Sequence, residues 1–331
     1  MKKKIAVIIL NWNGLKLLKE FLPLASKYTI SEDADLFVAD NGSTDGSLDW
    51  IKENHPEVNI IDLKKNYGFA EGYNRAIEAT DYEYSLLLNS DVEVTPDWCI
   101  PLLEFMEKNE NVAAVQPKIK SYHDRESFEY AGAAGGYLDR LGYPYCRGRL
   151  FDSIEKDEGQ YDGKPEPVVW ASGAALMVRT KDYIETGGLD PLFFAHMEEI
   201  DLCCRFQAEG KDVFCVPDSE VYHVGGASLE QGNPRKTYLN FRNNLLLLHK
   251  NTPSGKGDRR LFMRRLTDTL AFFMFVAKLD WKNAGAILDA HKDFRKMKKQ
   301  YPNRPEKDFL SHLPGSRRFI VMERYLLRRK R

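Results

Sequence analysis

Four short polar clusters follow directly behind apolar runs in the first third of the chain: Asn11-Trp12-Asn13-Gly14, Asp40-Asn41-Gly42-Ser43, Asn66-Tyr67-Gly68-Phe69 and Asn89-Ser90-Asp91. In an open α/β sheet, ligands bind outside the carboxyl ends of the strands, so amide, hydroxyl and carboxylate groups placed there are the first candidates to hold one. Each cluster alone also reads as a capped turn, since Asn, Asp, Gly and Ser are the usual turn formers. Four at successive strand ends point instead to one shared binding edge.

The elements needed to form that edge are present. The continuous apolar run Ile5 to Leu10 suits a buried parallel strand, Leu15 to Ala25 has helical spacing, and Leu36 to Ala39 and Val58 to Leu63 are further strands. Ser43, Thr44 and Asp45 offer N-caps to a helix through Ile51. Next come a helix from Phe69 to Ala79, a strand Tyr84 to Leu88, a helix Trp98 to Lys108 behind Pro96, and a strand Val112 to Val115. This β-α-β-α rhythm predicts a parallel sheet with helices on both faces. From Lys118 to Pro167 glycines, tyrosines and charges replace the rhythm, which reads as a loop-and-hairpin excursion of the kind that is usually functional. An apolar stretch Val168 to Val178, a helix Glu198 to Glu209, and strands Val213 to Val216 and Val221 to His223 follow. The remainder reads as helices over Lys236 to His249, Arg259 to Leu279 and Ala284 to Lys299, before Pro302, Pro305 and Pro314.

The 331 residues carry 48 Lys+Arg against 49 Asp+Glu and are 43% hydrophobic, which excludes disordered, collagenous and integral-membrane classes. A chain of this length buries enough core to fold without a disulfide or metal staple. Its five cysteines form no C-x-x-C pair and read as buried thiols in a reducing cytoplasm. Six apolar residues after the basic start are too few for a signal peptide, and the run Leu270 to Ala277 is too short to span a bilayer. The near-zero net charge hides a split. Residues 281–331 hold 15 Lys+Arg against 5 Asp+Glu, leaving 33 against 44 in residues 1–280.

Asn11 to Gly14, Val38 to Ser47, Asn66 to Asn74 and Leu86 to Asp91 together resemble the successive motifs of glycosyltransferase family 2, most closely its rhamnosyltransferase-like branch. The resemblance continues through Gly187-Gly188-Leu189-Asp190-Pro191-Leu192-Phe193-Phe194, Glu198-Glu199-Ile200-Asp201-Leu202 and His223-Val224-Gly225-Gly226-Ala227-Ser228, and covers residues 4–250. Seven motifs in family order make a chance match very improbable. What it implies is a GT-A fold, an α/β architecture with a Rossmann-like, mostly parallel sheet flanked by helices. The catalytic domain would span residues 1–250, and residues 251–331 would form a helical, basic extension.

The resemblance further implies a nucleotide-diphosphate sugar donor, a divalent metal and inversion at the anomeric carbon. Asp40 would accept the imide N–H of uracil or thymine, which fits UDP or dTDP rather than GDP. Asn11, Asn13, Asn41, Asn66, Phe69 and Asn74 would line the donor site, and Gly68 and Gly72 would let the backbone approach the nucleotide. Asn89-Ser90-Asp91 takes the place of the D-x-D metal motif with Asn at its first position, leaving Asp91 as the main carboxylate ligand of Mn²⁺ or Mg²⁺. His223 matches an additional metal-ligating histidine, a residue type that favours Mn²⁺. Read without the family, it is a buried structural histidine. For the base that takes the acceptor's proton, the family uses the second residue of an acidic pair, usually Asp. Here the pair is Glu198-Glu199, so Glu199 leads and Asp201 and Glu198 are alternatives. Three acids at a helix start also complement its dipole. Trp170-Ala171-Ser172-Gly173-Ala174 lies where the family holds donor sugar and acceptor, and Arg242-Asn243 resembles a recurrent pair.

The expected activity is inverting, metal-dependent transfer of a sugar, with dTDP-rhamnose the first donor to consider, onto a cell-surface polysaccharide or lipid-linked glycan. A sugar nucleotidyltransferase should instead carry basic residues in a Gly-rich turn after the first strand, where this chain has Asn11 to Gly14. A non-catalytic sugar-nucleotide-binding scaffold is the other alternative. The helices beyond residue 257 pack on the catalytic part or on a second copy in a homo-oligomer. Alternatively, the tail ending Arg328-Arg329-Lys330-Arg331 attaches the chain peripherally to an anionic cytoplasmic leaflet, each cation near the surface contributing roughly 1 kcal/mol. The acidic body opposes nucleic acid.

Overall fold

Strand β1 (Ile5–Asn11) is buried along nearly its whole length, as a strand must be when both its faces are apolar. In the computed structural model it lies inside a nine-stranded sheet, and residues 3–130, 132–150, 153–225, 232–308, 310, 313 and 319–320 are described. After β1 come α1 (Leu15–Thr29), β2 (Ala34–Asp40), α2 (Ser47–Asn54), β3 (Asn59–Asp62), α3 (Phe69–Glu78), β4 (Tyr84–Leu88), β5 (Val92–Val94), α4 (Cys99–Lys108) and β6 (Val112–Ser121). The excursion holds β7 (Gly136–Leu138), β8 (Pro144–Cys146), β9 (Arg149–Leu150), β10 (Ser153–Ile154) and β11 (Glu166–Pro167). Then follow β12 (Ala175–Arg179), α5 (Thr180–Glu185), α6 (Glu198–Ala208), β13 (Asp212–His223), α7 (Pro234–Asn251), α8 (Lys256–Ala277) and α9 (Trp281–Met297).

The large sheet has the order β11-β13-β6-β12-β4-β1-β2-β3, with β5 paired to β13. Strands β1 to β4 are parallel, as the alternating rhythm requires. β12 is antiparallel to both β4 and β6, and β13 is parallel to β6. The carboxyl ends of β1, β2, β4 and β13 therefore share one sheet edge. Ile5, Val7 and Ile9 face Leu18 and Leu22 of α1 in a core that also contains Leu102 and Met106 of α4. Leu10, on the opposite pleat, meets α3, and a Cβ on Gly72 would stand 2.9 Å from Leu10 Cδ2. Gly72 thus serves the packing of α3 on β1.

Two expected strands near the end of the sheet are one. β13 runs continuously from Asp212 to His223 with a register shift between Val216 and Glu220. Pro217 sits in that interval and cannot donate to the ladder, so the strand bulges rather than ends. The excursion is tied to β6 and β13 by charge. The buried Lys118 ammonium lies 2.8 Å from both Asp157 Oδ2 and Asp162 Oδ1 and 3.2 Å from Glu220 Oε2. Burial disfavours that ammonium, but the carboxylates outweigh it and raise its pKa above the usual lysine value.

By packing, the chain divides into two compact units. Residues 1–136, 146–194 and 198–225 form the first, and residues 137–145, 195–197 and 226–331 the second. Helix α7 packs with α8 and α9. All five cysteines are buried and free. Among the described residues no helix is long and apolar enough to cross a membrane. The expected Gly226-Ala227-Ser228 segment and the Arg328-Arg329-Lys330-Arg331 end lie outside the described residues.

Lys118→Met should lower unfolding stability by about 1 to 3 kcal/mol, because it leaves the buried Asp157 carboxylate with Lys120 alone, 3.3 Å away, while Asp162 and Glu220 still meet water. Urea unfolding checks the magnitude, and hydrogen exchange should show residues 155–163 opening first. An unchanged midpoint would deny the staple.

Candidate active site

The strand-end clusters meet as one rim. Asn11 and Asp40 are register partners at the ends of β1 and β2. Asp40 Oδ1 accepts the backbone N–H groups of Gly42 (3.1 Å) and Ser43 (2.8 Å), and its Oδ2 accepts Asn11 Nδ2 (3.0 Å). Asn13 Oδ1 accepts the N–H of Thr44, and Asn41 Oδ1 that of Tyr67. Asn41 Nδ2 donates to Asn66 Oδ1 (3.2 Å) and to the Gly68 carbonyl (3.0 Å). Turn capping and a common edge are thus the same fact, since the polar side chains bind the loops to one another. Asp40 is buried, and these bonds occupy most of the acceptor capacity of its carboxylate.

Around this rim the other expected residues take distinct places. Gly68, at φ 83°, caps α3, and the Phe194 ring lies 3.5 Å from where its Cβ would stand. Phe69 packs edge-on against Tyr73. Asn74 is engaged within the fold. Its Oδ1 accepts Tyr183 Oη–H (2.6 Å) and the Leu189 N–H (2.9 Å), and its Nδ2 donates to the Leu189 carbonyl (2.8 Å). The amide is spent on docking the Gly187-Gly188-Leu189 turn onto α3, and a Cβ on Gly188 would stand 2.5 Å from its Oδ1. Asn89 and Ser90 are half-buried at the end of β4, and among the described residues no hydrogen bond engages either side chain.

Asp91 and His223 come together through backbone pairing. β5 runs antiparallel to the end of β13 with His223 opposite Val92, and the Val224 N–H then donates to the Asp91 carbonyl. The register sets His223 Nε2 3.2 Å from Asp91 Oδ1. On the other side of the ring, Glu129 Oε2 lies 3.7 Å from Nδ1. Burial disfavours the imidazolium, but its hydrogen bond to Asp91 and the charges of Asp91 and Glu129 outweigh it and push the His223 pKa up to about 10. Burial would likewise raise Asp91, yet His223 holds it below its usual range. Glu129, one of ten Asp and Glu residues between Lys118 and Pro167, is the residue that the sequence did not single out, and its place between Phe128 and Tyr130 was the available signal.

These groups fit a divalent cation in part. Among the described residues no cluster of three His, Cys, Asp or Glu side chains is arranged to hold one. Asp91 and His223 offer one hard oxygen and one imidazole nitrogen, and a carboxylate behind Nδ1 is the usual orienting partner of a metal-binding histidine. Two protein ligands leave the remaining positions to donor oxygens and water, as Mg²⁺ and Mn²⁺ prefer in phosphate sites.

The three acids of α6 separate by environment. Asp201 is fully enclosed, and Arg205 Nε donates to its Oδ2 (2.8 Å) while the same guanidinium donates to the carbonyls of Thr186 and Gly188. That pairing gives Asp201 a structural task. Glu198 is buried, and burial, then the charges of Glu199 and Asp201, raise its pKa well above the usual value. Glu199 is partly exposed, and a Cβ on Gly173 would touch both Glu199 Cγ (3.8 Å) and Phe69 Cζ (3.9 Å). It is therefore the acid of the three with access to solvent, and it lies across Gly173 from Phe69. The chain enters α6 through a strained turn, with Phe194, His196 and Met197 at φ 65°, 67° and 75°. Asn243, fully buried, donates Nδ2 to the carbonyls of Ala195 (2.8 Å) and His196 (2.6 Å), which gives the Arg242-Asn243 pair a positioning task.

A Rossmann-like sheet with polar loops and a carboxylate–histidine pair gathered at its carboxyl edge is the architecture of GT-A glycosyltransferases. The family model for Glycosyl transferase family 2 matches residues 6–178, more than half of the chain, and the chain belongs to that family. It is 28% identical over 220 residues to the N-acetylglucosaminyl-diphospho-decaprenol L-rhamnosyltransferase of Mycobacterium tuberculosis, covering 61% of this chain and 69% of that one. It is 25% identical over 306 residues to the low-salt glycan biosynthesis hexosyltransferase Agl10 of Haloferax volcanii, covering 88% and 89%. Among solved structures, GalNAc-T7 with UDP, GalNAc and Mn²⁺ superimposes with a TM-score of 0.61 at 14% identity, over 91% of this chain and 58% of that one.

Glu198→Gln, an isosteric change at a buried side chain, should keep transfer within about threefold, whereas Glu199→Gln should lower kcat by about 10² to 10⁴. Because the folded pKa of Glu198 lies above its ordinary 4.5, its contribution to stability falls as pH rises from that value. Glu198→Gln should therefore raise Tm at neutral pH and flatten its pH dependence. The reverse kinetic pattern would assign the base to Glu198.

Proposed function

We propose that the chain transfers a sugar from a UDP- or dTDP-linked donor to a hydroxyl of a polysaccharide or lipid-linked glycan, with inversion at the anomeric carbon, working from the cytoplasmic side of a membrane. The observation that carries this reading is the buried Asp91–His223 pair at the same sheet edge as the Asn11, Asp40 and Asn66 loops. Glu199 takes the proton of the acceptor hydroxyl as its oxygen bonds to the anomeric carbon, while the bond from that carbon to the diphosphate oxygen breaks. Asp91 and His223 would hold a divalent cation, which supplies positive charge to the departing diphosphate. Glu129 keeps the His223 ring oriented, and the strained turn before α6 fixes where Glu199 begins. Rhamnose is the first sugar to test, since the mycobacterial relative is named an L-rhamnosyltransferase acting on a diphospho-decaprenol acceptor.

Transfer and slow hydrolysis should be measured across a panel of UDP- and dTDP-sugars. Turnover should require Mn²⁺ or Mg²⁺, stop with a chelator, and fall at least about 10³-fold in Asp91→Ala. A sugar-1-phosphate plus nucleotide triphosphate yielding pyrophosphate would identify a nucleotidyltransferase instead. Binding of donor without turnover would identify a scaffold.

A further inference from the structure

Helix α8 is built inside out. It buries Gly257, Leu261, Arg264 and Asp268, a stripe at helical spacing that contains an ion pair, Arg264 Nη2 to Asp268 Oδ1 at 3.1 Å, with His291 Nε2 3.0 Å from Asp268 Oδ2. The opposite stripe, at i, i+4, i+8 and i+11, is Phe262, Leu266, Leu270 and Phe273, and these side chains stand 48% to 65% exposed. The turn beyond the helix extends the same apolar character, with Leu279 at 74% and Trp281 at 63%. A globular helix ordinarily turns its apolar stripe inward, and contiguous exposed apolar side chains mark an interaction surface.

Charge decides the occupant. Around the stripe Arg259, Arg265, Lys278 and Lys282 are exposed, against two acids that meet solvent: Asp258, which pairs with Arg304 at 2.7 Å, and Asp280, whose carboxylate accepts the Asn283 N–H as the N-cap of α9. The other acid of the helix, Asp268, is buried. A twofold pairing of this helix with its copy would therefore bring together two surfaces with an excess of basic charge. An anionic lipid surface complements both the charge and the apolar stripe, and Trp and Lys at a helix end are the side chains that lodge at the headgroup level. We propose that the exposed face of α8, with Leu279 and Trp281 at its end, docks into the interface of an anionic membrane. The helix lies in the interface plane, since no described helix can span a bilayer. This inference is independent of which sugar is transferred and stands or falls without any turnover assay.

The test is flotation of the full chain with vesicles of phosphatidylglycerol and phosphatidylcholine, compared with phosphatidylcholine alone. The wild type should float with the anionic vesicles. The combined variant Phe262→Ser, Leu266→Ser, Phe273→Ser should bind at least about tenfold more weakly while keeping its Tm, because those side chains support no core. The combined variant Arg265→Gln, Lys278→Gln, Lys282→Gln should lose the preference for anionic lipid. Replacing Arg328, Arg329, Lys330 and Arg331 by Gln should leave binding within about twofold. A second readout uses the unaltered face: brominated lipid should quench fluorescence of the wild type, and Trp281→Phe should remove most of that quenching. Absence of flotation by the wild type, loss confined to the Arg328 to Arg331 variant, or unquenched Trp281 would each overturn the proposal. So would a concentration-dependent dimer abolished by the Phe262, Leu266 and Phe273 changes with no vesicle binding in either protein.

Discussion

The antiparallel pairing of β5 with the last three residues of β13 is the constraint on which the candidate site depends. β4 and β13 are separated in the sheet by β12 and β6, so their ends would not by themselves bring Asp91 to His223. The short return of β5 across the edge does so, and its register leaves His223 opposite Val92, one residue from Asp91. The bulge around Pro217 permits β13 to follow β6 for its whole length and still arrive there. Two side chains 132 positions apart thus become a hydrogen-bonded pair through backbone geometry. Glu129 closes the far side of the imidazole, so that a cation held by His223 would displace a proton already stabilised by two carboxylates.

The same economy of position governs α6. Three acids in four residues look interchangeable along the chain, and burial separates them. Asp201 is consumed by Arg205, whose guanidinium also holds the Gly187-Gly188 turn, and Glu198 is buried in surroundings that raise its pKa. Only Glu199 retains access to solvent among them. The strained turn over residues 194–197 costs stability wherever L-residues adopt positive φ, and the Asn243 amide offsets part of that cost with two hydrogen bonds to its carbonyls.

Apolar runs and turn chemistry made β1 to β4, their helices and the shared polar edge legible from sequence, because those signals are local. What was not legible is what depends on burial or on partners distant in sequence. Nothing in Val168 to Val178 tells the direction of β12, since a run buried on both faces has no alternation to read. Asn74 has the composition of a ligand-binding amide and is spent on Leu189, while Gly72, read as room for a nucleotide, makes room for Leu10. Glu129 carries no motif at all. On α8 the apolar residues were evident, but periodicity alone cannot say which stripe faces inward, and the charged one does.

Pulsed electron paramagnetic resonance of Mn²⁺ bound to the protein with UDP tests the central claim most directly. The account predicts modulation from a directly bound imidazole nitrogen, present in the wild type, retained in Glu199→Gln and lost in His223→Gln. A wild-type spectrum without nitrogen coupling would show that the Asp91–His223 pair is a structural ion pair and that the cation binds elsewhere.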